Sequence, residues 1–338
     1  MAYVISFVAG KSGGHILPCL SQAKREKIKN PQTKILFFAT TKALDQTILK
    51  QHPYIDHLIY LPTLSFPIKK WLYPVFCLQF CFAFIKSLVW FLRLQPTALI
   101  SMGEIISVPV CYAARILRIP ITLYELNATP GKTTLWLAPL AHHIHVCFTQ
   151  ATFFFAAHKT SLVPYPLRFT DQEIPSRLDA LKILQLHSNK KTILIIGGSQ
   201  GSLTLDTLMR TWVLEHYAQV ESLQIIHQTH TERVASIKQT YTALGIPSFV
   251  FDYYNAIELC YGAADVVICR AGAGTLFEVL FFKKPCITIP LETISTSHQY
   301  DNARYLASQA TSPLTVIRQK TLVDDSTLLH TTLLRYLD

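Results

Sequence analysis

The segment Ile193-Leu-Ile-Ile-Gly-Gly-Ser-Gln-Gly201 decides the fold: an apolar run of strand length enters a glycine-rich loop, and a helix-length segment follows. The same opening occurs nearly half a chain earlier, where Val4–Val8 leads into Ala9-Gly-Lys-Ser-Gly-Gly-His15 and another helix-length segment. Two strand–glycine-loop–helix openings predict two Rossmann-like domains, each beginning afresh. Further strand-length apolar runs are Ile35–Ala39, Ala98–Ser101, Ile121–Tyr124, Leu223–His227, Val266–Cys269 and Cys286–Ile289. Their alternation with helix-length segments predicts an α/β chain of parallel sheets covered by helices. The prolines of Val163-Pro-Tyr-Pro-Leu-Arg168 break regular structure and place the boundary there, giving domains over 1–164 and 165–338. Such sheets bind ligands at strand carboxyl ends, so the expected site is a cleft between the domains.

At 338 residues the chain is long enough for two full cores. Hydrophobic residues make up 50% and charged ones 15%, which excludes disorder and leaves an apolar excess for a membrane or a partner. The formal charge of +10 calls for anionic partners: phospholipid, phosphorylated substrates or nucleic acid. No basic residues interleave Thr152-Phe-Phe-Phe155, so this cluster is expected in a core or interface, and nucleic acid is not an expected partner. The eight cysteines are scattered without a Cys-x-x-Cys pair, as in a protein of the reducing cytoplasm. Met1–Val8 lacks a basic leader and reads as a first strand.

Trp71–Leu92 is almost unbroken apolar sequence, long enough to cross a bilayer as a helix. A crossing would put the strands before and after it in different compartments. Gln79, Lys86 and Arg93 recur every seven residues, and Lys69 and Lys70 precede the run. The segment therefore predicts a helix lying in the cytoplasmic leaflet and drawn there by anionic phospholipid.

Both glycine loops bring backbone N–H groups and a helix start to where a phosphate can sit. Neither matches a dinucleotide fingerprint, and Gly10-Lys-Ser-Gly13 does not complete a P-loop. A third loop follows the strand ending at Arg270: Ala271-Gly-Ala-Gly-Thr-Leu-Phe-Glu278. Its helix start suits a diphosphate, and Glu278 suits a ribose diol. Thr275-x-x-Glu278 is equally a capping box, and spacing leaves the two roles open. No Asp-x-Asp motif is available for a metal–diphosphate complex. His143 and His145 share a strand face without a third ligand at a useful spacing, so neither a metal nor another cofactor is expected.

Four segments in this order resemble the MurG family: Gly10–His15, Gly197–Gly201, Cys269–Glu278 and His298-Gln-Tyr-Asp-Asn-Ala303. Tyr124-Glu-Leu-Asn127 and Pro166-Leu-Arg168 add to the likeness, which spans nearly the whole chain. The resemblance implies a GT-B fold and an inverting transfer of N-acetylglucosamine from UDP-N-acetylglucosamine to undecaprenyl-pyrophosphoryl-muramoyl-pentapeptide. It implies a peripheral location at the cytoplasmic face of the cell membrane. It assigns Ser199, Gln200, Gly201, Tyr254, Arg270, Gly274, Thr275, Glu278, Gln299, Asn302 and Arg168 to the donor. Ser12, Gly13, Gly14 and Asn127 fall to the acceptor, and His15 and Glu125 to catalysis. A helix dipole at His15 favours the neutral imidazole that a base requires, with Glu125 the second candidate. The acceptor half departs from the family: Lys11 stands where glycine is usual, Tyr124 and Leu126 replace His and Gln, and Ser101-Met-Gly-Glu-Ile-Ile106 lacks the Gly-Tyr pair. Another lipid acceptor or a non-catalytic sugar-nucleotide-binding role is the alternative; a nicotinamide-dependent oxidoreductase is the most distant one.

Overall fold

A computed structural model describes residues 3–10, 12–50, 52–67, 69–198, 201–216, 221–293, 296, 298–325 and 327–337. The chain divides into two compact units, Met1–Arg168 and Phe169–Asp338, where the sequence placed the boundary after Pro164.

The first unit is a parallel sheet with helical crossovers. Its elements are β1 (Val4–Val8), α1 (Gly13–Lys29), β2 (Lys34–Thr40), α2 (Ala43–Leu49), β3 (His57–Leu61), α3 (Tyr73–Leu94), β4 (Ala98–Ser101), α4 (Ser107–Ile116), β5 (Ile121–Glu125), α5 (Lys132–Leu137), β6 (His143–Val146) and β7 (Thr160–Leu162). The strand order is β3-β2-β1-β4-β5-β6-β7. Every residue of β1 is buried, as expected of a central strand covered on both faces. Phe7 pairs with Phe37 across the β1–β2 register, and their rings stack at 6.4 Å.

The second unit repeats the plan with α6 (Arg177–Ile183), β8 (Lys191–Ile196), α7 (Leu203–Glu215), β9 (Leu223–Gln228), α8 (Val234–Ala243), β10 (Ser248–Phe251), α9 (Ile257–Ala263), β11 (Val266–Cys269), α10 (Ala273–Phe281), β12 (Cys286–Thr288), α11 (His298–Ala307), β13 (Leu314–Val316), α12 (Gln319–Asp324) and α13 (Thr327–Leu337). Its order, β10-β9-β8-β11-β12-β13, is that of the first six strands of the other sheet. Ile193, Ile195, Leu205, Trp212, Ile225 and Ile268 belong to its core.

In both sheets the order reverses between the first and fourth strands, the position where open parallel sheets bind ligands. The glycine loops after β1 and β8, and the loop after β11, stand at these two switch points.

The helix expected at Trp71–Leu92 is α3. It joins β3 to β4, two strands of one sheet. Ala83, Ser87 and Phe91, spaced four residues apart, are its buried side, and Phe91 meets Phe38 edge-on at 5.4 Å. Trp71, Val75, Leu78, Phe82, Ile85, Val89 and Leu92 are exposed, Trp71 and Leu78 by 70% and 72%. Lys86, one of the expected polar stripe, donates to the Tyr60 carbonyl at 2.9 Å. Of the two placements expected for Thr152–Phe155, a core or an interface, the core is removed: Phe153 and Phe154 lie exposed on a short 3-10 turn.

Candidate functional site

In the first unit, α1 begins immediately beyond the β1 loop with Ser12 as N-cap, so Gly13, Gly14 and His15 form its first turn. A Cβ at Gly14 would meet only the Ser12 hydroxyl, at 3.9 Å. His15 Nδ1 lies 2.8 Å from Glu104 Oε1 and 3.1 Å from Ser12 Oγ. The Ser12 hydroxyl also donates to Glu104 Oε1 at 3.4 Å. An N-cap serine ordinarily accepts a hydrogen bond from an amide one turn on, but Ser12 makes no such side-chain bond. Its oxygen is committed to the imidazole and the carboxylate instead. Glu104 comes from the loop between β4 and α4, so the switch point gathers Ser12, His15 and Glu104 from both sides. Sequence reasoning assigned Ser12 and His15 but missed Glu104.

Glu125, at the end of β5, has a different environment. Its Oε1 accepts from the Asn127 amide at 2.9 Å and the Asn127 side chain at 3.2 Å, and Oε2 accepts from the Gly131 amide at 3.0 Å. Burial pushes the Glu125 carboxyl above the ordinary range, against the pull of those donors. The carboxylate thus closes the turn from Asn127 to Gly131, and the two residues expected together are together. His143 and His145 lie on β6, where His145 packs edge-on against Tyr124 at 4.8 Å. Burial lowers the His145 pKa. Among the described residues no cluster of three metal-ligating side chains forms around them or elsewhere.

In the second unit, the β8 loop is held by backbone geometry. Gly201 has φ +66°, and a Cβ there would fall 2.4 Å from the His230 amide nitrogen. Gly197 must also lack one, since a Cβ would fall 2.5 Å from the Ser202 nitrogen. The Gly201 amide donates to the Gly198 carbonyl at 2.9 Å and tightens the turn. Ser199 and Gln200 lie outside the described residues. Cβ atoms at Gly198 and Gly272 would meet nothing within 4 Å, so both loops border open space.

Arg270 is buried under these loops. Its Nε donates to Ser202 Oγ at 3.0 Å, and Nη1 donates to the Ile289 carbonyl at 3.0 Å. Burial lowers its pKa. Arg270 therefore ties the β8 loop to the segment after β12.

Helix α10 starts with Gly272 as N-cap, three residues before Thr275. This removes the capping-box alternative: Thr275 is the third helical residue, and Glu278 sits in the second turn. Glu278 Oε2 accepts from the hydroxyl of wholly buried Tyr261 at 2.9 Å. Gly274 and Thr275 occupy the first turn, which carries no acidic residue, leaving the positive end of the helix to an anion. Asn302, buried on α11, donates to the Ala271 carbonyl at 3.5 Å, and Gln299 Oε1 accepts from the Leu291 amide at 3.0 Å. Tyr254 packs with Phe249 at 5.1 Å and Phe251 at 5.8 Å, past the carboxyl end of β10. Arg168 is the last residue of the first unit and is half-buried. The second sheet thus brings Gly201, Arg270, Gly274, Thr275 and Asn302 to one switch point. Tyr261, which holds Glu278, was missed, because nothing near it in sequence marks it.

Paired Rossmann sheets with glycine loops at both switch points define the GT-B fold of sugar-nucleotide enzymes. Residues 5–146 match the glycosyltransferase family 28 N-terminal domain, and residues 192–336 match the glycosyltransferase family 28 C-terminal domain. The chain belongs to glycosyltransferase family 28. It is 31% identical over 318 residues to the UDP-N-acetylglucosamine–N-acetylmuramyl-(pentapeptide) pyrophosphoryl-undecaprenol N-acetylglucosamine transferase of Protochlamydia amoebophila, covering 92% of this chain and 82% of that one. The Myxococcus xanthus protein of the same name is 28% identical, over 89% of this chain and 77% of its own. The crystal structure of Acinetobacter baumannii MurG superposes with a TM-score of 0.71 at 25% identity, over 99% of this chain and 91% of that one. The UDP-GlcNAc 2-epimerase of Methanocaldococcus jannaschii shares the fold alone, with a TM-score of 0.60 at 10% identity over 92% of this chain and 95% of that one.

Proposed function

We propose that this protein transfers N-acetylglucosamine from UDP-N-acetylglucosamine to undecaprenyl-pyrophosphoryl-muramoyl-pentapeptide, with inversion at the sugar carbon, as a step of peptidoglycan synthesis. The observation that carries this reading is the match along both halves of the chain to transferases of that name. The epimerase likeness shows that the fold alone does not choose the reaction.

In this reading the second unit takes the donor. The amides of the loop after β11 and the first turn of α10 receive the diphosphate, and Glu278 receives the ribose diol. Gln299 and Asn302 face the sugar hydroxyls, and the segment at Tyr254 meets the uracil. Charge developing on departing UDP falls on fixed N–H dipoles. Arg270 acts from beneath by fixing the two loops. The first unit takes the acceptor pyrophosphate at Gly13 and Gly14. His15 Nε2 accepts the proton of the attacking hydroxyl while that oxygen forms its bond to the sugar carbon and the bond to UDP breaks. Glu125 is the weaker candidate for base, since backbone amides occupy both its oxygens.

The exposed apolar side of α3 supports a peripheral position on the cytoplasmic face of the membrane, with anionic phospholipid drawn to Lys69 and Lys70. Because α3 links two strands of one sheet, both its ends stay in one compartment.

The test is turnover of purified protein with UDP-N-acetylglucosamine and a short-chain analogue of the lipid-linked muramoyl-pentapeptide, with and without EDTA. Formation of the disaccharide product at an EDTA-insensitive rate is expected. UDP binding without product from this acceptor overturns the assignment in favour of another acceptor or a non-catalytic role.

A further inference from the structure

Glu104 stands in the loop where this chain departs from its family's glycine–tyrosine pattern, 92 residues from Ser12 and on the other side of the switch point. Its side chain is only 12% exposed, and Oε1 is shared between His15 Nδ1 and the Ser12 hydroxyl. Its other oxygen, Oε2, is buried with no hydrogen-bond partner among the described residues. Burying a carboxylate with one oxygen unmet is costly, and such groups persist where a neighbouring charge offsets the cost. The neighbour here is an imidazole that becomes cationic when it takes a proton.

We propose that Glu104 is a positioning residue for His15. Its Oε1 accepts the hydrogen bond from Nδ1–H, which fixes the tautomer whose Nε2 lone pair is open to the acceptor hydroxyl. The proton moves from that hydroxyl to Nε2 as the new sugar–oxygen bond forms and UDP leaves. The resulting imidazolium keeps its Nδ1–H on Glu104, which stabilises the positive charge without taking the proton. Ser12 holds the carboxylate in register, so its usual capping bond is forgone. The inference rests on the reading of His15 as base.

The experiment compares His15→Ala, Glu104→Ala, Glu104→Gln and the double variant His15→Ala/Glu104→Ala in the turnover assay. UDP titration and the pH profile of kcat accompany each. His15→Ala should slow kcat by about 10²–10⁴-fold. Glu104→Ala should lower kcat by about 10–10²-fold, with UDP affinity unchanged, and move the acidic limb to lower pH because the imidazolium loses its carboxylate. Glu104→Gln keeps an acceptor oxygen and should recover part of the rate, but not the position of the limb. The double variant should be no slower than His15→Ala, since residues acting through one group are not additive. A slow His15→Ala enzyme beside Glu104 variants of normal kcat and unmoved limb overturns the positioning role alone. So does a double variant slower than His15→Ala by the full Glu104→Ala factor. Normal turnover in His15→Ala overturns the base reading, and the positioning role with it.

Discussion

A carboxylate in the second turn of α10 has two partners to serve. Glu278 holds the buried Tyr261 hydroxyl at 2.9 Å and, in the proposed function, the donor ribose. Truncation to alanine would remove both and also strand the phenol, so it cannot separate affinity from stability. Glu278→Gln separates them, because the amide oxygen still accepts from Tyr261 while the charge is lost. We expect UDP affinity to fall by roughly 1.5–3 kcal/mol with thermal stability nearly unchanged, as calorimetry and melting on one sample would read. A variant binding UDP as tightly as the parent removes Glu278 from the donor site. The sequence identified this residue and left its setting open between a ribose ligand and a capping box; with Gly272 as the N-cap, Glu278 is a second-turn side chain and the capping box falls away. Glu104 was illegible for a different reason: its only signal is proximity in space to His15.

Among elements, the fully buried strands were read from sequence nearly to the residue, and the edge strands were not. β11 is apolar throughout and β1 is apolar apart from Ser6, because helices cover both their faces. β3 and β10 are outer strands, half-buried along most of their length, and their apolar stretches, Leu58–Leu61 and Phe249–Phe251, stand beside polar residues and were not read as strands. The polar groups that join helices to strands were equally silent. Asp206, in the first turn of α7, accepts from His227 Nε2 at 3.1 Å on β9, Thr229 Oγ1 at 2.7 Å and Arg233 Nε at 2.6 Å. Burial pushes its carboxyl up, but the hydrogen bonds from His227, Thr229 and Arg233 outweigh that, and the group lies below its ordinary 3.8. A depressed carboxyl stabilises the fold above its unfolded pKa, and the contribution is lost as pH falls through the folded value. Asp206→Asn should therefore cost roughly 1.5–3 kcal/mol near pH 6. The gap between parent and variant in urea titrations should narrow as pH falls below the ordinary carboxyl value of 3.8. A gap that stays constant over that range refutes the charged role.

At the scale of the whole molecule, a net charge of +10 and an apolar excess find one outlet in α3. Trp136 and Phe66, 5.8 Å apart, extend its exposed face, and Phe66 stacks on Phe76 at 5.3 Å. A contiguous apolar surface of this kind marks a membrane or partner face. Leu78→Glu/Phe82→Glu should abolish sedimentation with phosphatidylglycerol vesicles while leaving UDP binding intact. Each buried side chain of this size contributes about 1.5–3 kcal/mol, so two should change the partition by more than a hundredfold. Parent-like sedimentation of that variant would mean the surface serves another partner. The helix also carries a chemical asymmetry. Cys77 and Cys81, one turn apart, are exposed, while the other six cysteines of the chain are buried. Maleimide or nitroxide reagents should therefore modify the native protein at this helix first, giving an intrinsic pair of probes four residues apart. Oxidants generated at a membrane would find the same two thiols before any others, which makes this surface the molecule's first point of oxidative damage.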